Sequence, residues 1–306
     1  FYGIQAFRTP AEREERPVLT LRRAARWAFG LHSIGVLGTI AILFTALFNH
    51  WFEFDYVWRH SSLDMPMQYI ASCFWEGQEG SFLLWLTWHM ILGWVLIRTA
   101  KTWEYGTLFA LSLVQLFLAS MLLGIYLGDI KLGSSPFILI RELPENLGLP
   151  WTEMSDYLMR IPAFRDGQGL NPLLQNYWMV IHPPTLFLGF AAVTIPFLFA
   201  MTGLFERRYT EWVLPALPWT FFGIAILGTG VLMGGAWAYE ALSFGGFWAW
   251  DPVENSSLVP WLTLVAAGHL MMVVKHKKTA PATTIFLAIL SFLLVLYSTF
   301  LTRSGI

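Results

Sequence analysis

The chain has one cysteine, Cys73, in 306 residues. A lone thiol can close no internal disulfide and can build no thiolate metal site by itself. Charge is equally scarce. Asp, Glu, Lys and Arg make up 13% of the residues, where a soluble globular protein carries about 25%. The formal net charge of −1 gives no case for nucleic acid as a partner. Apolar bulk, by contrast, is abundant: 56% of the residues are hydrophobic, 17% are aromatic and 16 are tryptophan. This composition excludes a soluble globular enzyme and indicates an all-α polytopic membrane protein.

Seven apolar stretches are long enough to read as membrane-spanning helices: Trp27–Phe48, Ser81–Ile97, Tyr105–Leu127, Pro183–Gly203, Pro215–Gly235, Val259–Val274 and Pro281–Thr302. Backbone groups in lipid must pair internally, so helices are the expected form. Lys and Arg alternate across these stretches. Arg8, Arg13, Arg16, Arg22, Arg23, Arg26, Arg98, Lys101, Arg207, Arg208, Lys275, Lys277 and Lys278 fall on one side, and Arg59, Lys131, Arg141, Arg160 and Arg165 on the other. The positive-inside rule puts the first set in the cytoplasm. Residues 1–306 are expected to form a single integral membrane domain, the N-terminal portion of a longer chain. Residues 128–182 are expected to form an outer loop, with a helical stretch at Trp151–Arg160. A connection of that length is functional or folds on its own terms.

Four tryptophans, a tyrosine and two phenylalanines crowd into the segment from Trp237 to Trp261. It lies between two apolar runs, where membrane meets water. An anchoring belt needs one or two rings there. A flat aromatic shelf over residues 236–260 suits a large planar apolar ligand, and a porphyrin is the obvious candidate. Asp251, Pro252 and Glu254 fit a capping box, with Asp at N-cap, Pro at N1 and Glu at N3. They are expected to open a short helix, Pro252–Leu258, ended by Pro260, and to shape the shelf without transferring protons. Glu240 has no such structural role and is placed to meet a ligand edge.

Three further residues could meet such a ligand. His182 precedes Pro183 and Pro184, which predicts a helix start at Pro183 and puts His182 at its mouth. It is either an iron ligand or a hydrogen-bonded helix-start residue. His269 lies about 12 Å past Trp261 at 1.5 Å per residue. At that depth an ionisable residue is costly and points to function. Its small neighbours Ala266, Ala267 and Gly268 leave room for a macrocycle or for close helix packing, and both readings stand. Arg303 either snorkels to the interface or pairs bidentately with a propionate. His89 and His32 read as hydrogen-bonded core residues, and His276 as part of a basic topology signal.

The motifs resemble a known family. Gly245-Gly-Phe-Trp-Ala-Trp-Asp-Pro-Val-Glu-Asn-Ser-Ser257 is similar to the tryptophan-rich WWD signature of haem-handling membrane proteins. Three other runs resemble motifs of its CcmF branch: Trp75-Glu-Gly-Gln-Glu-Gly-Ser-Phe-Leu-Leu-Trp85, Asn171-Pro-Leu-Leu-Gln with Val180-Ile-His-Pro-Pro-Thr-Leu-Phe-Leu-Gly-Phe190, and Ser298-Thr-Phe-Leu-Thr-Arg-Ser-Gly305. Together they resemble the CcmF/CcsA-type cytochrome c haem lyase subunits. The resemblance implies a bacterial inner-membrane protein of cytochrome c maturation. Such a protein positions haem b at the periplasmic face for thioether attachment to the Cys-x-x-Cys-His of apocytochrome c. His182 then matches a ligand of that haem, and His269 a ligand of a second, membrane-buried haem. The second ligand of each is expected beyond Ile306. Trp237, Tyr239, Glu240, Phe247, Trp248, Trp250, Asp251, Trp261 and Arg303 are the implied haem contacts. Implied partners are apocytochrome c, a periplasmic haem chaperone, other maturation subunits and the lipid bilayer. The alternative function is a haem exporter that supplies the chaperone, and a third reading is a purely structural subunit. One departure stands out: the run reads Ser-Phe-Gly-Gly-Phe-Trp where many members carry more tryptophan.

Overall fold

The computed structural model describes residues 1–3, 16–128, 130–241 and 246–303. Arg8 and Arg13 of the basic set, Gly245 of the tryptophan-rich run and Ser304–Ile306 lie outside the described residues. Helices dominate in chain order: α1 Arg16–Phe48, α2 Asp55–His60, α3 Met67–Glu76, α4 Gln78–Thr99 and α5 Glu104–Ser120, then α6 Tyr157–Arg160, α7 Tyr177–Phe205, α8 Val213–Ala241, α9 Pro252–Lys277 and α10 Pro281–Arg303. An antiparallel hairpin, β1 Ile125–Leu127 with β2 Ile130–Leu132, pairs Ile125 with Leu132 and Tyr126 with Lys131. Among the described residues, six helices are long and apolar enough to cross a membrane: Leu21–Phe48 of α1, α4, α7, α8, α9 and Pro281–Thr302 of α10. The protein is an all-α polytopic membrane protein.

The expected third span, Tyr105–Leu127, is shorter than its apolar run. Helix α5 has 17 residues and stops at Ser120, at the short end of what can span a bilayer. Gly124 then takes φ +61 and the chain enters the hairpin. Composition alone does not see this stop, because Leu122, Leu123, Ile125 and Leu127 remain apolar.

The chain divides into two units. The first comprises Phe1–Ile34, Thr87–Gln115 and Thr185–Ile306. Within it, α9 packs against α8 and α10, burying Leu227, Leu264, Met271, Ala288 and Phe292. Phe292 stacks on Phe197 of α7 at 4.3 Å between ring centroids. His89 lies fully buried, with Nε2 3.0 Å from Thr194 Oγ1, as a core histidine should. The Glu104 carboxylate is fully buried and accepts from Arg22 Nη2 at 2.6 Å, Arg26 Nε and Nη2 at 2.8 Å and the Tyr2 hydroxyl at 3.3 Å. Two arginines counted as topology signals are therefore also structural.

The second unit comprises Gly35–Leu86 and Leu116–Pro184. The long connection in it is a folded body. Residues Phe54 and Leu139 form an antiparallel bridge, Gln168 N–H donates to Trp58 O at 2.7 Å, and Leu63 N–H donates to Asp166 Oδ1 at 2.9 Å. Trp151, Tyr157 and Phe164 make a small aromatic core with centroids 5.0–5.8 Å apart. The expected Trp151–Arg160 helix is instead a 3-10 turn at Pro150–Glu153 followed by the four-residue α6. Cys73 is fully buried in α3 and its thiol donates to His60 O. Burial pushes that thiol up to about 12.

Candidate functional site

The tryptophan-rich segment belongs wholly to the first unit and begins on a helix. Helix α8 runs 29 residues, about 43 Å at 1.5 Å per residue against a hydrocarbon core of about 30 Å. The expected end at Gly235 is therefore passed, and Trp237, Tyr239 and Glu240 ride on the last turns of the helix. Tyr239 is 65% exposed and Glu240 is exposed, whereas Trp237 is half-buried. Helical geometry sets their directions: positions 237 and 240 share a face.

Beyond α8 the chain has no regular structure from Trp248 to Asp251 and then enters α9. Asp251 is the N-cap: its Oδ1 accepts from Glu254 N–H at 2.7 Å, and Pro252 sits at N1. The Glu254 carboxylate does not close the reciprocal box. Its Oε2 accepts from Ala249 N–H at 2.8 Å. Asn255 completes the frame, with Nδ2 donating to Trp250 O at 2.8 Å and Asp251 O at 2.9 Å. These three side chains bracket Trp250, whose backbone is left-handed at φ +59. That conformation is strained for any residue with a Cβ. The sequence reading did not single out Asn255. The signal was its position four residues after the N-cap, where an amide can reach back over the helix start.

Trp250 is thereby turned outward and is 71% exposed. Trp248 meets it edge-to-face, with centroids 6.1 Å apart and planes at 80°. The aromatic surface is therefore not one flat shelf. Ring quadrupoles favour this T-shaped pairing over a coplanar one. Phe247, 45% exposed, packs on the backbone of Gly235, where a Cβ would collide with its ring. The Trp248 Nε1–H is buried and meets no acceptor among the described residues. Trp261 faces α8 instead of an open surface: its Nε1–H donates to Ile224 O at 2.9 Å, over Gly228.

The short helix expected from Pro252 to Leu258 is also corrected. Helix α9 continues through Pro260 to Lys277. Proline inside a spanning helix is tolerated where neighbouring helices hold the chain. Here Ser298 of α10 donates its hydroxyl to Ser256 Oγ at 3.0 Å, and both are buried.

His269 lies eight residues from both Trp261 and Lys277, about 12 Å from each along the axis. Ala267 and Gly268 are buried, with Gly268 over Ile224 and Thr220 of α8, so these small residues serve helix packing. The His269 side faces outward with exposed Leu262, Ala266 and Val273. Its Nδ1 lies 2.8 Å from Val265 O. A carbonyl can only accept, so Nδ1 is the donor, and in the neutral ring Nε2 then carries the lone pair. That is the tautomer in which an imidazole ligates a metal through Nε2.

His182 belongs to the second unit, and its setting corrects another expectation. Helix α7 starts at Tyr177, so His182 sits in its second turn, half-buried. Asn176 supplies the start, accepting from Met179 N–H through Oδ1 at 3.3 Å. Pro183 leaves the Met179 carbonyl without its helical donor. Trp75 Nε1–H fills that place at 2.8 Å, so the helix persists upstream of the proline. The Arg303 side chain lies outside the described residues. Among the described residues, no cluster of three His, Cys, Asp or Glu could hold a metal.

Comparison with known proteins gives this layout a context. The family model described as "Cytochrome C assembly protein" matches residues 75–306. The cytochrome c-type biogenesis protein CcmF of Pseudomonas fluorescens is 35% identical over 95% of this chain and 40% of its own length. CcmF of Escherichia coli is 34% identical over 89% and 39%, and the probable biogenesis protein NrfE of the same organism is 30% identical over 90% and 47%. The solved structure of a cytochrome c haem lyase CcmF matches with a TM-score of 0.75 at 27% identity, covering 96% of this chain and 43% of that one. The chain thus spans less than half the length of these curated relatives, 39% to 47% of it. A match that opens at Trp75, the indole bracing the His182 turn, and runs through the tryptophan-rich segment and α9 to the end of the chain makes this chain a member of the cytochrome c assembly protein family.

Proposed function

We propose that the protein acts in cytochrome c maturation, in a bacterial inner membrane with the tryptophan-rich segment on the periplasmic side. It holds haem b there and presents it to the Cys-x-x-Cys-His segment of apocytochrome c. Haem supplies the vinyl groups, across which each cysteine thiol adds; the S–H bond breaks, and C–S and C–H bonds form. The chain contributes position. Trp250, Trp248, Phe247 and Tyr239 offer ring faces and edges at the helix ends, and Glu240 offers a charged edge. His182, in the second unit, is separately assigned as an iron ligand. Asp251, Glu254 and Asn255 hold the aromatic corner. Trp261 ties α9 to α8 through Ile224, Trp237 is assigned to the haem face, and Arg303 to a propionate. A haem chaperone, apocytochrome c and other maturation subunits are the partners this work requires.

One observation carries the haem reading: the His269 imidazole, midway along a spanning helix, faces outward with Nδ1 tied to a carbonyl. An uncommitted polar Nε2 on an apolar face is costly in lipid, and an iron ligated there removes that cost. The donor chemistry fits a haem. A haem exporter has no use for this residue, which favours the lyase over the exporter.

The test is His269→Gly in the full-length protein purified in detergent. The expected result is loss of the haem absorbance assigned to the buried group, restored by millimolar imidazole, with a reduced yield of cytochrome c. Unchanged haem content together with an unchanged cytochrome c yield would refute the proposal.

A further inference from the structure

We infer that Trp75 is a positioning residue for His182, and that Glu76, Gly77, Gly80 and Ser81 after it help to aim its indole N–H. The inference rests on the reading of His182 as a haem ligand.

The argument starts from proline chemistry. Pro183 has no N–H, so the carbonyl four residues earlier, Met179 O, loses its helical partner. Met179 is buried, so water offers little replacement and the turn would open. Trp75 Nε1 stands 2.8 Å from that oxygen. The hydrogen bond therefore satisfies the carbonyl that Pro183 leaves open beside His182, and it is made from 104 residues away in sequence. With it, the imidazole is held by a rigid turn. Without it, His182 sits on a frayed helix end.

The residues around Trp75 are arranged to keep it still. It is the penultimate residue of α3, and α4 begins two residues beyond Glu76. Ser81 donates its hydroxyl to Trp75 O at 2.8 Å. The Tyr56 hydroxyl lies 3.0 Å from both Cys73 O and Phe74 O and accepts from Gly77 N–H at 3.2 Å. Phe74 stacks on Phe44 at 4.6 Å, and His60 pairs with Glu76. Gly77 and Gly80 permit the close approach: a Cβ at Gly77 would lie 2.6 Å from His60 Nε2, and one at Gly80 would overlap Phe74 O. Glu76, Gly77, Gly80 and Ser81 thus bear on the backbone or the orientation of Trp75. Phenylalanine would keep the packing and lose the donor.

The structure supplies its own compensating change. Pro183→Ala restores a backbone N–H to Met179 O, so it should correct Trp75→Phe if the hydrogen bond is what matters. Two measurements on the full-length protein separate the steps. The first is hydrogen–deuterium exchange of the Tyr177–Thr185 amides in haem-depleted protein. Trp75→Phe should raise exchange at least fivefold, and Trp75→Phe/Pro183→Ala should return it to near the starting value. The second is a Soret titration with imidazole of the haem-loaded protein. Trp75→Phe should let imidazole displace the protein ligand at a several-fold lower concentration, again reversed by Pro183→Ala. Unchanged exchange in Trp75→Phe overturns the inference and leaves the haem reading intact. Faster exchange that Pro183→Ala does not reverse also overturns it, because packing is then responsible. Faster exchange with a Soret response that is the same in His182→Gly and the parent overturns the assignment of His182, and the inference with it. If Trp75→Phe yields no folded protein, recovery of folded protein in the double variant supports the inference, and failure to recover overturns it.

Discussion

The left-handed backbone of Trp250 predicts an inverted order of stability at that position. Trp250→Gly and Trp250→Ala remove the same exposed indole, so their difference reports the backbone alone. In a right-handed or extended setting Ala is the more stable of the two by about 0.5–1 kcal/mol, because glycine loses more freedom on folding. At φ +59 a Cβ costs about 1–2 kcal/mol, which glycine avoids. Glycine should therefore exceed alanine at residue 250 by about 0.5–1 kcal/mol. That corresponds to an apparent melting difference of about 2 °C in a chain of this size. Thermal unfolding in one detergent, followed by far-UV circular dichroism, measures it. The strain exists only while Asn255 and Glu254 hold the corner, so Asn255→Ala in both backgrounds should shrink the gap toward zero. An alanine variant as stable as the glycine variant, with Asn255 intact, refutes the idea that the corner is held against strain.

Two other perturbations follow from the packing. Cys73, with its thiol raised to about 12 by burial, should resist maleimide in native detergent solution and react fully once unfolded. Its pKa lies above the reference value of 9.0, so the unfolded chain loses the proton first. Stability from this group is complete below pH 9 and declines as pH rises toward 12, which denaturation across that range would show. Glu104→Gln should lower stability by about 3 kcal/mol. That is the low end for breaking a buried ion pair, because Arg22 and Arg26 are about a third exposed. The readout is thermal unfolding, and the loss should not recover at high salt.

Much of this architecture can be read from the sequence because lipid imposes one rule on every span. Runs of apolar residues and alternating Lys and Arg locate the helices, and Asp251-Pro252 announces the start of α9 through local chemistry. The errors cluster where a distant group overrides a local rule. Pro183 and Pro260 read as helix boundaries, because proline removes a donor from its own helix. Neither ends one here. The missing donor for Met179 O arrives from Trp75, and α10 holds the Pro260 segment through Ser298. Trp261 read as part of an aromatic shelf because of its neighbours in sequence, yet its indole bonds to Ile224 of α8. The geometry between Trp248 and Trp250 was equally hidden, since a count of rings carries no interplanar angle. His269 was legible as an oddity at membrane depth, but not the bond to Val265 that selects its tautomer.

The contact between Trp75 and Met179 also orders events during synthesis. The indole leaves the ribosome 104 residues ahead of its acceptor, which at about 5–20 residues per second is roughly 5–20 s. The α3–α4 joint can therefore fold before the proline-interrupted turn exists. When that turn emerges, it docks onto a finished template.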